Sequence, residues 1–175
     1  MTIKKTVISA AIAMGLISTS VFANNSGTID FSGSVANGSC QIPANQMTKV
    51  VDLGEITTAD INAATAGQSL KQQPLQFDVS LCPSNITNVA VQFDFTPDAT
   101  NTQYITQTGD AEGVLFGITD ANDTLVANAG QVGADAAVSG GAATVNAKIQ
   151  AYRIGTDNAV GGSLASTATV TLISQ

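Results

Sequence analysis

The sequence predicts an all-β chain folded as an antiparallel β-sandwich, and three observations carry that prediction. Apolar and polar residues alternate with a period of two in one short segment after another, the pattern of a strand with one buried face. Short polar or glycine-rich connections separate these segments, as in sandwiches. The composition agrees: 44% of the residues are apolar, 11% are charged, Trp is absent and sixteen residues are Gly. That balance suits a β-rich exported protein better than a helical one.

The first 23 residues stand apart. Lys4 and Lys5 give a positive start, residues 7–17 form an almost unbroken apolar run, and Val21, Phe22 and Ala23 end on small residues suited to cleavage. This is the pattern of a secretory signal peptide, and the run falls well short of the roughly 20 apolar residues a membrane span needs. No later segment comes closer, so the protein is expected not to be membrane-embedded. The rest of the chain, from residue 24 on, has the length of one domain.

Residues 27–35 read GTIDFSGSV. Gly27, Ile29, Phe31, Gly33 and Val35 fall on one face, with Thr28, Asp30, Ser32 and Ser34 on the other. Val50, Val51 and Leu53 make a shorter apolar run ending at Gly54, and alanine-rich residues 57–66 are read as one turn of helix or a loop. Leu75, Phe77, Val79 and Leu81 alternate up to Cys82, and Val89, Val91, Phe93 and Phe95 do so after the break at Pro83, Ser84 and Asn85. Residues 114–118 come after Gly113, and Leu125 and Val126 come after the turn-rich run Asp120, Ala121, Asn122, Asp123. Residues 127–143, nearly all small, read as an exposed loop or weak edge strand. Val145, Ala147, Ile149 and Ala151 give the next strand, and Ala168, Val170 and Leu172 the last. Some eight strands are expected in all.

Charge limits the partners. Beyond residue 23 the basic residues are Lys49, Lys71, Lys148 and Arg153 against all thirteen acids, a formal balance of −9. Nucleic acid and anionic membrane surfaces are disfavoured, because both require clustered Lys and Arg. Two cysteines, Cys40 and Cys82, most simply form one disulfide in an exported chain. A zinc site is the rival, but the chain has no His and no third Cys.

Enzyme chemistry finds no foothold. Without His, the Ser-His-Asp and Cys-His arrangements are closed. The acid pairs Asp120 with Asp123 and Asp94 with Asp98 read as solvated turn residues, and Asp120, Asn122 and Asp123 lack the Gly and distant Glu of an EF-hand. The expectation is a non-enzyme with no cofactor and no metal.

The segments GTIDFSGSV, VDLGEI, FDVSLCP, GVLFGITDANDTLV, AKIQAYRIGT and ATVTLISQ, in this order and with Cys40 and Cys82 so placed, resemble the pilin subunits of chaperone-usher fimbriae, in particular the type 1 group. The resemblance implies an incomplete immunoglobulin-like sandwich, missing its last strand and completed by a donor strand from a neighbouring subunit. It divides the chain into a signal peptide (1–23), a donor-strand extension (24–38) and a pilin domain (39–175). Gly27, Ile29, Phe31, Gly33 and Val35 would enter the neighbour's groove, with Gly33 facing its shallow part. Only four residues separate Val35 from Cys40, about 13 to 14 Å when extended, which leaves little slack for the segment to fold back on its own domain.

The implied partners are identical or related pilin subunits in a head-to-tail polymer, a periplasmic chaperone that occupies the groove first, and an outer-membrane usher. The implied location is the cell-surface fimbrium, where the polymer supports cell adhesion. The alternative is a single-domain secreted or tip lectin of the same fold. In the resembling pilins the final strand lines the groove and a tyrosine is usual at the penultimate position. Here Val170 and Leu172 supply the apolar face, while Ser174 stands in that place and puts the terminal chaperone contacts in question.

Overall fold

The computed structural model describes residues 38–175 together with Ser32. The expected signal peptide and the expected donor-strand positions Gly27, Ile29, Phe31, Gly33 and Val35 lie outside the described residues. In chain order the elements are α1 (Ala44–Met47), α2 (Thr58–Ala63), β1 (Ser69–Val79), β2 (Asn88–Phe95), β3 (Val114–Asp120), β4 (Gly130–Ala137), β5 (Ala143–Arg153) and β6 (Ala168–Ser174). The strands form two antiparallel sheets of three, ordered β1-β5-β3 and β4-β2-β6.

Alternation in the sequence becomes burial between the sheets. Leu75, Phe77 and Val79 of β1, Val89, Val91, Phe93 and Phe95 of β2, and Val145, Ala147 and Ala151 of β5 are all buried in one cluster. Phe77 and Phe93 meet edge to face across the two sheets with ring centroids 5.9 Å apart, a favoured arrangement of aromatic quadrupoles. The outer face of β3 and β5 is packed as well. Tyr104 and Tyr152 lie 5.2 Å apart, and a side chain on Gly117 would come within 2.6 Å of Leu125 and 3.0 Å of Tyr152. Burial pushes the Tyr152 hydroxyl up to about 12, with smaller contributions from Tyr104 and Asp123.

Several readings are adjusted by the structure. Among the described residues there are six strands. The 50–53 run is not a strand, and Leu125 contributes only an isolated bridge to Thr119. Leu81 does not continue the inward face of β1: its φ is 53° and it is 71% exposed. The strand ends at Val79 because the chain must turn there to bring Cys82 to Cys40, and the Cys82 N–H bonds the Gly141 carbonyl. The small-residue stretch 127–143 contains a true edge strand, β4, paired to β2. Helix α1 has no counterpart in the sequence reading, whereas α2 forms where the sequence predicts a turn of helix or a loop, its first turn capped by the Thr57 hydroxyl accepting from the Asp60 N–H.

Candidate functional site

β1 and β6 are edge strands of their respective sheets, and they face each other across the same side of the sandwich. Among the described residues β6 pairs only with β2, from Val89 opposite Ser174 to Phe95 opposite Ala168, and β1 pairs only with β5 as a strand. Between these edges lies an open cavity of about 480 Å³. Its deep wall is apolar: Leu75, Phe77, Phe93, Ile105, Phe116 and Ile118 are all buried residues that also line it. Side chains that would be sealed inside a complete sandwich thus border open space.

One rim is built by residues 46–53, which run past the edge of β1 as a strap. The strap is held at both ends. Cys40 and Cys82 form the disulfide, with Cα atoms 4.1 Å apart, and Gln41 and Ser80 exchange two backbone hydrogen bonds of 2.8 Å. The Asp78 N–H donates to Gln46 Oε1 at 2.6 Å, and Gln46 Nε2 donates to the Asp78 carboxylate at 3.3 Å. Beyond the strap, Lys71 Nζ donates to the Glu55 carbonyl. Asp78 also accepts from Gln76 and Thr144, each at 3.0 Å. The Gln76 bond, then that of Thr144, holds its carboxyl below the usual carboxylate range, with smaller help from Gln46 and the charge of Lys49.

Between its anchors the strap leaves apolar surface in solvent. Val50 is 98% exposed and Val51 36%, although both line the cavity. Lys49, itself exposed, sets its ammonium 5.3 Å from the centroid of the Phe77 ring. The opposite rim is Val170 and Ala168 of β6 with residues 164–167 leading into them.

Of the sequence-predicted groove residues, Val170 lines this cavity. Leu172 packs against the core and Ser174 is half-buried opposite Val89, both further along β6 and outside the cavity wall. The chain end is held in the ladder: the Gln175 N–H donates to the Asn88 carbonyl, and the Gln175 carbonyl accepts from the N–H groups of Thr87 and Asn88. Sequence reasoning missed the strap, Ile105 and Leu164 as cavity walls. The run at Val50, Val51 and Leu53 was the signal available for the strap. Ile105 carried no periodic pattern, and it reaches the core through isolated bridges to Pro97 and Phe116.

The turn acids have structural work. The Asp120 carboxylate accepts from the N–H groups of Asn122 and Thr124, and Asp123 pairs with Lys148 at 2.7 Å. That bond is the main reason the Asp123 carboxyl sits below its ordinary range. Among the described residues no group of three or more His, Cys, Asp or Glu gathers as a metal would require, and no helix is long and apolar enough to cross a membrane.

A family model described as "Fimbrial protein" matches residues 29–175. The chain is 31% identical over 138 residues to the probable major fimbrial subunit LpfA of Escherichia coli O157:H7, spanning 75% of this chain and 76% of that one. It is 33% identical over 128 residues to the long polar fimbria protein A of Salmonella typhimurium, spanning 70% and 71%. A chain from a solved chaperone-usher pilus matches with a TM-score of 0.65 at 15% identity, over 87% of this chain and 97% of that one, which is a likeness of fold.

Proposed function

Since the chain belongs to the fimbrial protein family and shares the fold of chaperone-usher pilus subunits, we propose that it polymerises by donor-strand exchange: residues 27–35 of one copy fill the cavity between β1 and β6 of the next. The observation that carries this reading is the apolar cavity itself, open along an edge of β6 that is unpaired among the described residues and floored by aromatic and aliphatic side chains. An extended segment added there gains backbone hydrogen bonds from the free edge and specificity from alternate side chains. Gly27, Ile29, Phe31, Gly33 and Val35 are such an alternating set. Burial of the Ile, Phe and Val side chains contributes roughly 5 to 8 kcal/mol before ordering costs.

The role is assembly without turnover. Head-to-tail contacts do not close, so a linear polymer results. On this reading residues 1–23 direct export, 24–38 are the donor extension and 39–175 the body. A periplasmic chaperone covers the cavity before an outer-membrane usher delivers the subunit, and the finished fimbrium stands on the cell surface and supports adhesion.

Gly33→Leu tests the reading directly. A side chain placed where the occupant must lie close to the cavity floor should abolish polymerisation while the body still folds. Exported protein run in mild detergent, with and without heating, reports this. Wild type should give a detergent-resistant ladder that heat collapses, and the variant only monomer. A ladder of wild-type length from Gly33→Leu overturns the proposal.

A further inference from the structure

Resting on the donor-strand reading above, we infer that Lys49 is a specificity-determining residue of the groove, which recognises the carboxylate of Asp30 on the incoming 27–35 segment. Beyond residue 23 the chain has four basic side chains against thirteen acidic ones. Two copies therefore repel each other on approach, and a local match of opposite charge must orient the encounter. Three of the four cations are already engaged. Lys148 is paired with Asp123, Lys71 donates to the Glu55 carbonyl, and Arg153 is 3% exposed with its guanidinium donating to the Asp157 carbonyl. Among the described residues Lys49 makes no hydrogen bond or ion pair, and its ammonium rests over the Phe77 ring on the cavity floor.

The donor segment carries one charge, Asp30, set between Ile29 and Phe31 on the face opposite the apolar set. Apolar side chains entering over Phe77 take the space where the Lys49 ammonium lies. Displaced from the ring, the flexible lysine stem lets the ammonium move to the rim, where the outward face of the occupant presents Asp30. The neighbouring carboxylate Asp78 competes weakly. It is already hydrogen-bonded by Gln76, Thr144 and Gln46, and the charge of Lys49 is the smallest influence on it. Empty, the groove holds Lys49 by a cation–π contact; occupied, it exchanges that contact for an ion pair that favours one register.

The test uses the full exported chain as monomer and a labelled synthetic peptide of residues 24–38, wild type or Asp30→Lys. At low ionic strength, Lys49→Glu should capture the wild-type peptide about fivefold more slowly, and the wild-type chain should discriminate against the Asp30→Lys peptide to a similar degree. Pairing Lys49→Glu with the Asp30→Lys peptide should restore the rate. Lys49→Met, which keeps the apolar stem, should lose discrimination between the peptides. The differences should vanish at about 1 M salt, where screening acts within about 3 Å. Equal ratios of the two peptide rates in wild type and Lys49→Glu overturn the role of Lys49 and leave the groove reading standing. Failure of the wild-type chain to capture the wild-type peptide at all overturns both.

Discussion

Along one side of the sandwich β3 faces β4, and along the other β1 faces β6. On the first side Val126 and Val132 are buried, the Val126 N–H bonds the Ile118 carbonyl, and Gly133, with φ at 72°, lies so close to Val145 that an added Cβ would come within 2.6 Å of it. A register shift between β2 and β4 at this point bends the edge strand over the core. On the second side the described residues do nothing comparable: Val50 stands in solvent and the core borders a cavity. The two sides draw on the same kinds of apolar residue. What separates them is whether the described residues supply a strand or bend close enough to seal the gap, so the opening is a matter of chain path and not of a weak core.

The largest test of this contrast concerns the covalent anchor of the open side. Replacing both Cys40 and Cys82 by Ser should cost about 4 kcal/mol in the chain-entropy account of a loop of this length, read as a lowered urea midpoint. Next comes the closed side. Gly133→Leu adds overpacking against Val145 to left-handed strain and should cost about 3 kcal/mol in the same measurement. A variant as stable as wild type would mean that this side is not sealed as described.

A smaller effect should appear at high pH. Because the folded protein holds the Tyr152 proton up to about 12 against an ordinary value near 10, the stabilisation is complete below pH 10 and is lost as pH rises towards 12. Tyr152→Phe should flatten that alkaline limb, as followed by thermal unfolding across the range. The smallest expected effect on folding lies at the open side. Val50→Ser should change stability by less than about 0.5 kcal/mol, since the side chain is 98% exposed, and a larger loss would show that the strap packs more tightly than it does here.

The strands were legible wherever one face is buried, as in β1, β2 and β5, because period-two alternation and burial are the same fact seen at two levels. Leu81 misled because alternation continues in the residues while the backbone has already left the sheet. β4 was half legible, since small residues such as Gly133 carry little hydrophobic signal even where close packing demands them. The disulfide could be inferred from two cysteines and an export signal. The cavity was legible only through family resemblance. An open side is a gap in a three-dimensional path, and a residue pattern records strands one at a time, not the space left between them. Lys49 reads in the sequence as any solvated lysine; only its position over Phe77 gives it meaning.

The Cys40–Cys82 bond also decides how the body would carry a mechanical load. Tension arriving from residues before Cys40 passes through the two sulfur atoms to Cys82 and onward, skipping everything between. The strap, α2 and β1 sit inside that covalent loop, so a pull on the residues before Cys40 cannot unravel them while the bond is intact.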